Sequence, residues 1–595
     1  MAREVSIGNQ EFDYAIENNT FYIDKTRFIE LWWNKKDTVT LITRPRRFGK
    51  TLMLSTVKCF FSNRYEGRKD LFEGLYISRC PEMMKLQGAY PVIALSFSDC
   101  KNIKESSGER TEYQVMVSQL KNQMSKLFDG FRYAFTEENK ELSDDEREKC
   151  NIIRNNITDK YTDEIFSESI QVLCRVLLKF HGVLPIILLD EYDTPLQEAD
   201  VNGYWKDLIV LMRSLFNTSF KTPDFYYRVL ITGITRLSKE SLFSDVNNFN
   251  PISVTSDEYS DCFGFTEQEM LAALEEYSML DLRQDVKDWY DGFVFGRQKE
   301  IYNPYSIACL LDKKVFDTYW SDTSSNALVS RLIRHGADST RDAFLKLMKG
   351  ETINCTINEN VVFADLETDA NAVWSLLLGS GYLKAEEVMR RDKDNRLLKK
   401  PIYTLSITNL ETRIMLKRLV NRWFRTGSDS TSYKEFIGAL YGYDIKMMNL
   451  WLNKTSSQSF SYFDTANKTP EAFWQGFIIG LAVTLEADYI VTSNRIAGYG
   501  RYDVQLKPRD KSLQAFVIEF KSIDTETKKR VKEETQLARG VKEALSQIEV
   551  NKYYTELVTE GYPLIRKLGL AFKGQLCMIG DEEYIKPMLR TRKKT

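Results

Sequence analysis

Histidine is nearly missing from this 595-residue sequence, which has His181 and His335 and no others. That excludes chemistry built on several imidazoles. Nine cysteines are scattered, none in a C-x-x-C pair, and their number is odd. They read as reduced thiols rather than a disulfide framework or a zinc site. No apolar run approaches the roughly 18 residues of a membrane span, and the start Met1-Ala-Arg-Glu-Val-Ser has no apolar leader core. The expectation is a cytoplasmic protein with no membrane partner. An excess of one charge is missing too: 82 Lys and Arg face 84 Asp and Glu, so any nucleic-acid surface must be a local patch. What is present, 43% hydrophobic and 28% charged residues over this length, describes two to four globular domains with ample core.

The chain is organised around Leu41-Ile-Thr-Arg-Pro-Arg-Arg-Phe-Gly-Lys-Thr-Leu52. An apolar run, Val39 to Ile42, ends in a polar turn, and Gly49-Lys50-Thr51 opens a predicted helix. That order suits ATP with Mg²⁺. Backbone N–H groups of the loop and helix start, at Arg47, Phe48, Gly49, Lys50, Thr51 and Leu52, cradle the phosphates. The Lys50 ammonium reaches the terminal phosphates and the Thr51 hydroxyl ligates the metal. The full pattern G-x-x-x-x-G-K-[ST] has glycine first, where this chain has Arg44. A non-glycine residue in a left-handed conformation costs about 1–2 kcal/mol, so the loop is expected to open differently at Arg44. Arg44, Arg46 and Arg47 have two readings: they face the phosphates, or they contact a neighbouring domain or DNA.

A companion comes at Leu184-Pro-Ile-Ile-Leu-Leu-Asp190-Glu191, which reads as a buried parallel strand with carboxylates at its C-terminal edge. Asp190 would hold Mg²⁺ through water, and Glu191 would polarise the attacking water. Arg228-Val-Leu-Ile-Thr232-Gly-Ile-Thr-Arg236 suits the strand between these two motifs, with Thr232 sensing the γ-phosphate; a strand ending in a plain glycine turn is the alternative. Further strands are predicted at Pro91–Phe97 and Asn250–Val254, and a helix within residues 21–36. Thr266 with Glu269 is predicted to cap a helix. The stretch from about Lys101 to Tyr161 is polar and helix-favouring, and its acidic core, Glu137 to Glu146, reads as a solvated insertion.

Tyr22-Ile-Asp-Lys-Thr, Thr43-Arg-Pro-Arg-Arg-Phe-Gly-Lys-Thr-Leu, Leu189-Asp-Glu-Tyr-Asp-Thr-Pro, Thr232-Gly-Ile-Thr-Arg, Phe263-Gly-Phe-Thr and Trp289-Tyr-Asp-Gly together resemble the bacterial AAA-ATPase-like family of P-loop proteins. Its members are often joined to a PD-(D/E)XK nuclease-like domain. The resemblance covers roughly residues 20–305 and implies that Arg44 is a family trait. It also implies a helical or winged-helix module in the middle region. There, Asn326-Ala-Leu-Val and Leu376–Leu383 read as packing helices and Tyr403–Ile407 as a strand.

The last third contains Gly498-Tyr-Gly-Arg-Tyr-Asp503-Val-Gln-Leu-Lys507 and Ala515-Phe-Val-Ile-Glu519-Phe-Lys521, two predicted strands joined by the turn Pro508–Ser512. Glu519 and Lys521 fall on one face, with Phe520 pointing to the core, and Asp503 reaches the same face. Two converging carboxylates bind Mg²⁺, and a neighbouring lysine orients water or steadies charge on a phosphate. From spacing alone, an exposed salt bridge on a hairpin is the plainer reading.

The same residues resemble the PD-(D/E)XK nuclease core, with Tyr502 in place of proline. That resemblance implies Glu471, from an upstream helix, as a further metal ligand and Gln547 at the site edge. The fold expected is therefore α/β: a P-loop NTPase with a parallel sheet (1–305), a helical, winged-helix-like region (306–430), and a C-terminal α/β PD-(D/E)XK nuclease-like domain (431–595). The function expected is an ATPase coupled to a Mg²⁺-dependent nuclease acting on nucleic acid, DNA in preference to RNA, with a homo-oligomer left open. The basic tail Arg590–Lys594 is a further phosphate contact or a solvated end. Two other readings stand beside this one: an ATP-dependent switch whose last domain binds DNA or a partner without cutting, and a degenerate scaffold.

Overall fold

The computed structural model describes residues 2–101, 110–157, 159–235, 242–243, 246, 248–320, 338–358, 369–392, 394–422, 432–463, 480–481, 484–497, 500–523, 532–573 and 576–589. The chain divides into two compact units, Met1–Leu328 with Thr352–Arg413, and Val329–Glu351 with Ile414–Thr595.

The first unit is built on five parallel strands, β1 (Val39–Thr43), β2 (Val92–Ser96), β3 (Ile186–Asp190), β4 (Arg228–Gly233) and β5 (Phe249–Ile252), in the order β2-β3-β4-β1-β5. Runs such as Ile-Ile-Leu-Leu bury both faces, and β1, β3 and β4 are buried at every position. As expected, β4 lies between the strand entering the phosphate loop and the strand ending in Asp190. Helix Lys50–Phe61 follows β1 directly, so the loop sits at the C-terminal edge of the sheet, where α/β ligand sites form.

The acidic core expected to be solvated is largely exposed, with Asn139 and Leu142 turned inward, while the helix-favouring chain around it packs as a layer. That chain forms helices Glu112–Gly130 and Asp144–Asn155, which bury Met116, Leu120, Met124 and Phe128, and Cys150, Ile152 and Ile153. Its acidic residues open the second helix beside a Ser143–Glu146 capping box, where they complement the helix dipole. The capping box at Thr266 and Glu269 forms as expected. It lies beside a small antiparallel sheet of β6 (Phe265–Thr266), β8 (Gln298–Tyr302) and β7 (Phe293–Phe295).

Further on, β9 (Ile353–Thr356), β10 (Leu383–Arg391) and β11 (Leu397–Ile407) form a sheet in the order β10-β11-β9. The helix expected over Leu376–Leu383 instead runs Ala370–Gly379 and stops. Gly381, at φ +85, turns the chain into β10, a conformation that glycine adopts without the steric cost of a Cβ. Asn326 lies outside the described residues.

The second unit holds a mixed sheet, β12 (Tyr489–Ala497), β13 (Gly500–Pro508), β14 (Ala515–Ser522), β15 (Ile565–Lys573) and β16 (Leu576–Gly580), paired in that order. Only β14 and β15 pair in parallel. Helix Glu533–Asn551 crosses between them and buries Leu537, Val541, Ala544 and Ile548 against the sheet.

All nine cysteines are free, and Cys80 alone is not fully buried. Burial pushes the thiol of Cys59 up to about 11 and those of Cys100, Cys150, Cys262 and Cys355 up to about 12. Among the described residues no helix is long and apolar enough to cross a membrane.

Candidate functional site

The phosphate loop is shaped by its own lysine. Lys50 is buried, and its Nζ donates to the carbonyls of Arg44 (2.9 Å) and Pro45 (2.8 Å). An ammonium has three N–H donors, so two bonds fold the loop around it and one donor is left for a ligand. Burial lowers the Lys50 pKa to about 8, although Asp190, Glu191 and Asp193 pull the other way. A cation held so dry is a site for an anion. Gly49 caps the helix at φ +78, and nothing lies within 4 Å of where its Cβ would stand. The helix N-terminus is therefore open to close approach.

The left-handed residue of the loop is Arg47, at φ +62, not Arg44. Arg44 instead continues the sheet, its N–H donating to the Gly233 carbonyl at 3.2 Å. Its side chain is fully buried and points away from the phosphate position. Nη1 donates to the carbonyls of Thr43 (2.9 Å) and Ser253 (2.7 Å), and Nη2 to that of Glu258 (3.3 Å). The guanidinium lies 4.7 Å from the Phe295 ring centroid, and burial lowers its pKa to about 10. Of the two readings of the arginines, Arg44 takes neither: it ties loop ends together. Arg47 is exposed and stacks on Tyr305, with its guanidinium carbon 3.8 Å from the ring centroid. Phe48 is buried against Phe293 and Phe295, and Leu52 packs at the edge of the core.

Asp190 arrives from β3 at the helix start. Its Oδ2 accepts from Thr51 Oγ1 at 2.6 Å, and its Oδ1 accepts from the Thr232 hydroxyl and from the Glu191 N–H at 3.0 Å. The structure thus brings Lys50, Thr51, Asp190, Glu191 and Thr232 to one place. Glu191 sits at φ +49, its carboxylate accepting from Thr194 Oγ1 at 3.1 Å.

Asp193 was not singled out from the sequence. Fully buried, its Oδ2 accepts from the N–H groups of Ile234 (3.1 Å) and Thr235 (2.8 Å) and from Thr235 Oγ1 (2.7 Å), which locks the turn after Thr232. Burial raises its pKa, and its Oδ1 has no partner. A Cβ on Gly233 would stand 2.6 Å from the Tyr192 ring and 2.7 Å from Asp193 Oδ1, which is why glycine follows Thr232. The signal in the sequence was the second aspartate of Asp190-Glu-Tyr-Asp193.

In the second unit the ladder Leu506↔Phe516, Gln505↔Val517, Val504↔Ile518, continued one step, sets Asp503 opposite Glu519. There the two carboxylates replace the ladder bonds. The Asp503 N–H donates to Glu519 Oε2 at 3.2 Å, and the Phe520 N–H donates to Asp503 Oδ2 at 2.7 Å. Glu519 is buried whereas Phe520 is half-buried. The carboxylate face is therefore the sealed one, the reverse of the expected placement of Phe520. Burial, then the Asp503 charge, push the Glu519 pKa up to about 8. Lys521 Nζ bonds Gln547 Oε1 from the crossover helix, and Gln547 Nε2 donates to Tyr553 Oη at 3.2 Å. Tyr553, fully buried, is a further member that the sequence did not point to. Glu471 and Gly498 lie outside the described residues, as does the Arg590–Lys594 tail. Among the described residues no group of three His, Cys, Asp or Glu is placed to hold a metal, so the described carboxylates are the pair alone.

These two geometries agree with relationships to known proteins. Residues 6–243 match the family described as predicted AAA-ATPase, and residues 469–582 match the PD-(D/E)XK nuclease superfamily. The chain joins an AAA-ATPase-like domain to a domain of the PD-(D/E)XK nuclease superfamily. It is also 27% identical over 420 residues to the "Uncharacterized protein in vnfD 5'region" of Azotobacter chroococcum mcd 1, an alignment covering 70% of this chain and 69% of that one.

Proposed function

We propose that this protein binds and hydrolyses ATP in its first domain and couples that to a Mg²⁺-dependent phosphodiesterase in its last. The substrate is nucleic acid, DNA in preference to RNA, and the compartment is the cytoplasm. The functional divisions are 1–305, 306–430 and 431–595. The observation that carries this reading is a buried ionisable group at each site whose charged form lacks compensation. These are the Lys50 ammonium, with two N–H groups on loop carbonyls, and the Glu519 carboxyl beside Asp503, whose ionisation burial opposes until a cation arrives. Each is suited to a ligand of opposite charge.

At the first site Lys50 offers its remaining N–H to a phosphate oxygen, and the N–H groups from Arg47 to Leu52 complete the cradle. Thr51 and Asp190, already in contact, would hold Mg²⁺; Glu191 orients the attacking water, and Thr232 reads the γ-phosphate through Asp190. At the second site Asp503 and Glu519 would hold Mg²⁺, with Glu471 as a third ligand from the chain just upstream. The metal supplies Lewis-acid stabilisation of the phosphate and an activated water. Lys521, held by Gln547, faces charge building on the phosphate.

The test is to incubate the full chain with Mg-ATP and mixed DNA and RNA, as wild type, Lys50→Ala and Asp503→Ala. Lys50→Ala should lose nucleotide binding and turnover, and Asp503→Ala should lose cleavage. Cleavage unchanged in Asp503→Ala, or turnover unchanged in Lys50→Ala, would reject the corresponding half. One observation favours a second reading, in which ATP is a switch and the last domain binds without cutting: Asp503 and Glu519 each already accept a backbone N–H, and Glu519 is buried. Mg²⁺-dependent cleavage by pure protein would exclude that reading.

A further inference from the structure

The peptide joining Arg46 to Arg47 is held from outside the family-matched stretch 6–243. Trp320 Nε1 donates to the Arg46 carbonyl at 3.1 Å, and Asn303 Nδ2 lies 3.5 Å from the same oxygen. Trp320 is itself fixed twice. Its ring packs on Phe293 and Tyr382, with centroids 5.9 and 5.3 Å away, and its backbone N–H donates to Glu411 Oε1 at 2.9 Å. Glu411 is 1% exposed. It also accepts from the Tyr319 N–H at 2.8 Å and, on both oxygens, from Ser306 Oγ. These donors are all neutral, and burial raises its pKa to about 7. A carboxylate buried without a cation is costly, yet its bonds serve to fix the backbone at Tyr319 and Trp320.

In a trans peptide the C=O and the following N–H point to opposite sides. Tying the Arg46 carbonyl to Trp320 therefore turns the Arg47 N–H to the other side of the loop. Arg47 sits at φ +62, a strained conformation for arginine that persists only where its surroundings hold it. Left untied, this peptide could flip and present a carbonyl to the phosphates instead of a donor.

We propose that Trp320 and Glu411 are positioning residues of the nucleotide site: Glu411 sets Trp320, and Trp320 sets the Arg46–Arg47 peptide so that the Arg47 N–H faces the phosphates. This rests on the ATP reading above.

The test measures the dissociation constant for a fluorescent ATP analogue with Mg²⁺ on the full chain, together with the apo melting temperature. Trp320→Phe keeps an aromatic ring but removes the pyrrole ring with its N–H. It should weaken binding about fivefold, the worth of one hydrogen bond, with any drop in apo melting from the lost volume too small to unfold the protein at the assay temperature. Glu411→Met should weaken binding similarly without lowering the melting temperature, because it also removes a buried charge. Glu411→Gln keeps an acceptor for both backbone N–H groups and should bind as wild type does. Combining Trp320→Phe with Glu411→Met should cost no more than the larger single change, since both act through one bond. Wild-type affinity in Trp320→Phe, or losses that only track apo stability, would overturn the proposal. No Lys50-dependent binding by wild type would instead reject the ATP reading itself.

Discussion

The two sites have opposite charge and the same physics. Burial lowers the pKa of the Lys50 ammonium to about 8 and raises that of the Glu519 carboxyl to about 8, opposing the charged form in both. Each side chain is nearly inaccessible and each is held by backbone rather than by a counter-ion: loop carbonyls for Lys50, the Asp503 N–H for Glu519. The two differ in how the hold is built. The phosphate loop is closed by neighbours five and six residues away, whereas the carboxylate pair exists because two strands stop bonding at one rung. A loop that folds on its own lysine is a local construction; a pair across a ladder needs the whole sheet.

The largest effects should separate the two sites. Lys50→Ala is expected to lower ATP turnover at least about a hundredfold and leave nuclease-site metal binding unchanged, by phosphate-release assay and calorimetry with Mn²⁺. Asp503→Asn should do the reverse, lowering cleavage by about as much. Loss of ATP turnover in Asp503→Asn, or loss of Mn²⁺ binding in Lys50→Ala, would show that the sites are not separable.

Next in size is Arg44→Ala. It removes the side-chain donors to the carbonyls of Thr43, Ser253 and Glu258, leaving the Ser253 carbonyl only the Ser256 N–H, and should cost on the order of 3 kcal/mol, read in urea unfolding. If Arg44 served the phosphates instead, nucleotide affinity would fall while stability held.

The pH dependence of stability sharpens the contrast. Lys50 has a folded pKa near 8, below its unfolded value of about 10.4, so the folded state binds fewer protons between those values. Its burial cost is complete below pH 8 and fades as pH rises towards 10. Glu519 has a folded pKa near 8, above its unfolded value of about 4.3. The folded state binds more protons in that window, and the cost grows from pH 4 to pH 8. Lys50→Met should therefore stabilise most below pH 8, and Glu519→Gln most near pH 8 and above, each on the order of 2 kcal/mol. Parallel pH profiles of melting temperature for the two variants would contradict this. The smallest effect is expected for Gln547→Ala, which frees Lys521 and should slow cleavage about threefold to tenfold with metal affinity unchanged.

Much of both sites was legible in the sequence, because contiguous strings specify them. Val39 to Thr51 contains strand, turn and helix start in one run, and Leu184 to Glu191 ends a strand on its acids. From those came the position of β4 between β1 and β3, with Thr232 beside Asp190. What was not legible depends on partners far along the chain. Arg44 looked like a phosphate or DNA ligand because nothing local shows that Ser253 and Glu258 supply carbonyls for it. Trp320 and Glu411 are unremarkable residues until folding brings them to the Arg46 carbonyl. The helix expected over Leu376–Leu383 ends at Gly379 because Gly379-Ser-Gly381 interrupts the apolar run and Gly381 turns the backbone, a break that the leucines on either side mask.

The nine cysteines make the molecule a ready-made clock for its own opening. Eight are buried with no disulfide, and Cys80 is the partly accessible one. A thiol reagent meeting the native protein should therefore modify Cys80 first, and slowly, since burial raises that thiol as well. Each later modification then times a separate breach: Cys59 on the buried face of the phosphate-loop helix, Cys355 in β9, Cys577 in β16. Mass spectrometry of intact protein, with and without Mg-ATP, would read those breaches as whole-number steps of added reagent, with no residue mutated.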